Sequence, residues 1–140
     1  IQKKLFLSLP VDNDITGYGH EDTLLGLKLL NLKTPISHID NPLEHLGLDT
    51  AETFLEKSKT GTENLAKLYA KSICGKEIRL INVFEQLKAW DLLGITLNII
   101  SLLLPLFERN LKSKQPKMRY FDFWKLYYFV KNYDALNKSR

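Results

Sequence analysis

Apolar residues in this chain recur with different periods, and the change of period divides the sequence. Leu5, Leu7 and Leu9 fall at every second position, the spacing of a strand over residues 3–9 that Pro10 ends. Residues 12–19 are rich in Asp, Asn and Gly, which supply turn conformations. From Glu21 to about Leu32 the pattern is apolar around most of a helix, broken by Lys28 and Asn31, and predicts a buried helix. Pro35 precedes a short predicted strand, Ile36 to Ile39, and Asn41-Pro42 turns the chain. A loop from His45 leads to a helix near Thr50, where Thr50-Ala51-Glu52-Thr53 has a helix-start composition. Lys59-Thr60-Gly61 predicts a break. A second helix then runs from Thr62 to Ile73 and ends at Gly75, the position a helix end prefers for glycine.

Past Gly75 the pattern becomes helical throughout. Leu80, Ile81, Val83, Phe84, Leu87 and Trp90 predict an amphipathic helix over 77–90. Residues 92–107 carry no charge at all, yet they fall short of the roughly 20 residues a membrane-spanning helix needs, and Asn98 and Pro105 interrupt them. Such a segment lies on a membrane surface or packs on the rest of the protein.

Charge sharpens that choice. Residues 108–140 hold nine Lys or Arg against three acids, whereas the whole chain of 140 residues has a net charge of +4, so residues 1–107 are slightly acidic. A basic segment beside an apolar helix suits an anionic membrane face, through residues 92–140. The same tail holds eight of the fifteen aromatic residues, among them Tyr120, Trp124 and Tyr133. They fit either the headgroup level of a membrane or an aromatic helix packed on its neighbours. Basic residues interleaved with aromatics also occur in single-strand nucleic-acid binders, but no nucleic-acid-binding motif accompanies them, so nucleic acid is not expected as a partner. At 44% hydrophobic and 26% charged, the composition is that of an ordinary globular domain. The single Cys74 has no internal disulfide partner and receives no role.

Candidate chemistry concentrates in Gly17-Tyr18-Gly19-His20-Glu21-Asp22. Acids at a helix's first turn sit over its free amide groups, where the dipole favours their charge. They serve there as caps or as available bases, and Gly-x-Gly alone is an ordinary tight turn.

The segment resembles the Gly-(Trp/Tyr)-Gly-x-Glu-Asp stretch of inverting glycosyltransferases with the GT-A fold, notably glycosyltransferase family 2 and the β-1,4-galactosyltransferases. The similarity begins near residue 5, takes in Val11-Asp12-Asn13-Asp14-Ile15-Thr16, and extends past Thr34 to His45, to about residue 70. It implies an α/β chain: an incomplete, Rossmann-like acceptor-side half over residues 1–74 with a few short strands, then a mainly helical extension over 75–140. It also implies a fragment, because the family's nucleotide-sugar half with its Asp-x-Asp motif lies upstream. Asp12-Asn13-Asp14 has that spacing but directly precedes the Gly-Tyr-Gly turn, where the family has an acidic loop unrelated to the metal.

The resemblance implies roles residue by residue. Asp22 is the general base that takes the proton of the acceptor hydroxyl, and Glu21 orients that hydroxyl. Tyr18 offers a ring on which a sugar stacks, Gly17 and Gly19 let the backbone approach the substrate, and His20 stands at the acceptor rim. His45 completes the coordination of a divalent metal, Mn2+ in preference to Mg2+, together with the missing Asp-x-Asp. By their own spacing, apart from the resemblance, His38 and Asp40 share a face of the predicted strand and fit a hydrogen-bonded pair supporting the site better than a second metal site. The expected partners are a nucleotide-sugar donor and a saccharide acceptor, free or lipid-linked, and the expected place is the cytoplasm or the inner face of the cell membrane. The alternative reading is a non-enzymatic membrane-surface or protein-binding module.

Overall fold

The computed structural model describes residues 17–44, 47 and 49–138, together with positions 5, 7, 9 and 15. Among them five helices follow one another: α1 (Glu21–Asn31), α2 (Ala51–Ala70), α3 (Arg79–Ala89), α4 (Leu93–Leu111) and α5 (Met118–Lys138). α5 is the hub, packing against α2, α4 and α3. Its inward residues Leu126, Phe129 and Val130 meet Leu65 and Leu68 of α2, Ile81 and Phe84 of α3, and Ile100 and Phe107 of α4 in one core. Leu24 carries α1 into the same core. A smaller cluster joins Leu55, Leu111, Phe121 and Trp124.

The α/β expectation is corrected here. No strand occurs among the described residues, and the core is built by helices alone, so the Rossmann-like half is not present in them. Leu5 and Leu7 are helical where a strand was expected over 3–9, and the rest of that segment, apart from Leu9, lies outside the described residues. Residues 36–39 are irregular, and Ile36 and Ile39 are both exposed. A strand needs a partner ladder and one buried face, and this segment has neither.

The second correction concerns Gly61. Instead of two helices separated at residues 59–61, α2 runs unbroken through Gly61 to Ala70. Thr50 caps it by accepting from the Thr53 N–H at 3.2 Å. Leu55, Thr62, Leu65, Ala66 and Leu68 bury its inner face at helical spacing. The helix ends not at Gly75 but at Ser72, which takes the left-handed conformation with φ 58°. The Ser72 N–H then reaches the Tyr69 carbonyl (2.9 Å) and the Ile73 N–H the Leu68 carbonyl (3.0 Å), closing a Schellman motif.

The tail follows the expectation of a packed aromatic helix. Phe121, Trp124 and Phe129 of α5 are buried, and Phe129 lies 5.4 Å from Phe84 between ring centroids, edge to face. Glu108 of α4 accepts from Trp124 Nε1 and the Tyr128 hydroxyl, each at 3.2 Å, and ties α4 to α5. Tyr69 of α2 donates to Glu85 of α3. No helix among the described residues is long and apolar enough to cross a membrane.

Candidate functional site

The Gly-Tyr-Gly-His segment is docked on α2 and delivers two carboxylates to solvent. Gly17 and Gly19 have φ of 74° and 110°, and His20, the residue before α1, has φ of 72°. Three such residues in four reverse the chain and press it against α2. A Cβ built on Gly19 would stand 2.8 Å from the Gly61 Cα, so glycine at position 19 is a steric requirement. One turn along α2, Asn64 is almost fully buried and its Nδ2 donates to the carbonyl oxygens of Tyr18 and Gly19, each at 3.3 Å. Thr62, also buried, donates to the Lys59 carbonyl at 2.7 Å and accepts from Asn132 of α5 at 3.3 Å.

On this platform the acids take different parts. Both oxygens of Glu21 accept from the Gly19 N–H at 3.0 Å, so Glu21 closes the turn back on itself as a capping group does. Asp22 Oδ1 accepts from the Thr23 N–H at 2.7 Å, and the side chain is otherwise exposed at the first turn of α1. The Tyr18 ring is 59% exposed, with the ammonium of Lys57 lying 5.3 Å from its centroid. Lys57 is held from its other side by Asp49, at 2.8 Å.

His20 is half-buried, and its Nδ1 lies 3.3 Å from the Thr23 hydroxyl. Burial pushes its imidazole below the ordinary histidine range, with Asp22 and Glu21 pulling the other way. It therefore sits neutral between the loop and α2, as a packing residue rather than one at an open rim.

The structure thus brings Gly17, Tyr18, Gly19, His20, Glu21 and Asp22 together in one turn. His45 lies outside the described residues. His38 and Asp40 are exposed on the irregular segment 34–44, not on the expected strand. Among the described residues no group of three His, Cys, Asp or Glu side chains could hold a metal ion. Cys74 is buried and its thiol is pushed up to about 11, chiefly by burial, which leaves it unreactive at neutral pH.

Sequence reasoning missed Gly61, Asn64 and Lys57 as parts of this site. Gly61 and Asn64 fall three residues apart and so on one helical face, but nothing local marks that face as the one that meets residues 18 and 19. A cavity of about 530 Å³ between α3, α4 and α5, lined by Arg79, Leu80, Val83, Leu87, Arg119 and Phe123 among others, includes none of residues 17–22. Compared with protein-family models, curated proteins and solved structures, the chain matches none.

Proposed function

We propose that residues 17–22 are the acceptor-binding turn of an inverting glycosyltransferase, which moves a sugar from a nucleotide-diphosphate donor onto a saccharide, free or lipid-linked, with Asp22 as general base. One observation carries the reading: Asp22 and the Tyr18 ring stand exposed on the same rigid turn, fixed by the Gly19–Gly61 contact and by Asn64. A sugar lying on the Tyr18 face could place a hydroxyl within reach of a carboxylate four residues along. In an in-line displacement the attacking oxygen sheds its proton as it bonds to the anomeric carbon, while the nucleoside diphosphate departs from the opposite face with the bonding electrons. Asp22 receives that proton. Glu21 acts through the backbone by closing the turn. Under this reading His45, with the family's Asp-x-Asp, would supply ligands to a divalent ion, which would offset charge on the diphosphate; the part given to Asp22 involves its own carboxylate only.

Chemical-shift mapping with a panel of saccharides tests the acceptor assignment on the chain itself. The expected result is perturbation confined to the amides of residues 17–23 and to Lys57, lost in Tyr18→Ala. Perturbation elsewhere, or none with any saccharide, contradicts it.

A further inference from the structure

The outward face of α4 is an extended exposed apolar surface. Leu92, Ile95, Ile99, Leu102 and Leu106 are 43%, 61%, 55%, 81% and 54% exposed. Their spacing of three and four residues makes one continuous stripe along α4, opposite the face that buries Ile100, Phe107 and Leu111. Exposed Trp90 stands just before the stripe. Arg109, three residues after Leu106, continues it at the other end. Beyond come Lys112, Lys114, Lys117 and Arg119, all exposed. Across residues 90–121 the acids are Asp91, exposed at the Trp90 end, and Glu108, which is turned inward onto Trp124 and Tyr128.

We infer that this face of α4 docks on an anionic phospholipid membrane, with α4 lying in the plane of the interface. Charge complementarity selects that occupant. The stripe supplies apolar side chains to the acyl boundary, Trp90 a ring suited to the headgroup level, and the cluster from Arg109 to Arg119 five cations for lipid phosphates. A second copy of the chain would bring the same uncharged stripe and the same excess of cations. It would offer no acid along 92–107 to meet them. The inference is independent of the sugar-transfer reading, because no residue of the turn at 17–22 takes part.

Flotation of the 140-residue chain with vesicles of phosphatidylcholine alone, or with phosphatidylglycerol added, tests it. Binding is expected only with the anionic lipid and should weaken as salt is raised. Leu102→Asp changes an exposed position, so circular dichroism should be unaltered while binding is lost. The triple variant Arg109→Gln, Lys114→Gln, Lys117→Gln should bind roughly a hundredfold more weakly, about fivefold per cation. Lys131→Gln with Lys138→Gln, at the far end of α5, should bind as the parent does. Absence of binding to anionic vesicles, equal binding by Leu102→Asp, or a self-association that Leu102→Asp abolishes in place of vesicle binding would each overturn the inference.

Discussion

Gly19 and Gly61 meet backbone to backbone, and the two glycines are not equivalent. A Cβ on Gly19 would stand 2.8 Å from the Gly61 Cα, whereas a Cβ on Gly61 would find its nearest neighbour, His20 Cδ2, at 3.9 Å. Gly19→Ala therefore forces the turn off α2 and also strains a residue at φ 110°. We expect a loss of about 2–4 kcal/mol. Gly61→Ala meets only ordinary van der Waals contact and removes the glycine penalty from a helix interior, for a gain of up to about 1 kcal/mol. Urea denaturation of the two variants checks the asymmetry, and equal losses in both would refute it.

The helix ends give a second expectation. α1, α2 and α3 each finish in a Schellman motif with a residue other than glycine in the left-handed position: Lys33 at φ 50°, Ser72 at φ 58° and Asp91 at φ 56°. L-residues are penalised there, so Lys33→Gly and Asp91→Gly should each stabilise the protein by about 0.5–1 kcal/mol. The corresponding rise in Tm is roughly 2–4 °C by calorimetry. A fall in Tm for both would mean that the side chains at 33 and 91 hold contacts worth more than the backbone strain.

His20 sets a pH dependence. Its imidazole is held below its ordinary value by burial, so the unfolded chain takes up a proton at higher pH than the folded one. Stability from this residue is complete above about pH 6.5, the unfolded value, and falls as pH drops from there toward the lower folded value. The expected observation is a downward slope in unfolding free energy below pH 6.5, which His20→Gln flattens. A slope unchanged by that substitution would assign the effect to other groups.

How much of this was legible beforehand differs from element to element. The boundaries of α1 and α3 follow from local signals alone: acids at one end, an amphipathic repeat, a polar break. α2 was misread because Gly61 looks like a stop, whereas a glycine inside a helix costs only about 1 kcal/mol and the burial of Leu55, Leu65 and Leu68 carries the helix through it. Ser72, Lys33 and Asp91 stop helices without the glycine that sequence reasoning looks for. The strands were misread because alternation over a few residues says nothing of whether a partner strand exists. In the candidate site, the cluster from Gly17 to Asp22 could be recognised in the sequence. Asn64 could not, because its importance depends on two carbonyls far away in the chain.

The most direct test of the proposal is the Asp22→Asn variant of the protein, measured for sugar transfer and, separately, for nucleotide-sugar binding. Removing a general base while keeping its shape should slow transfer by roughly 10²–10⁴-fold with donor affinity unchanged. Transfer at the parent rate would contradict the assignment of Asp22 as the base.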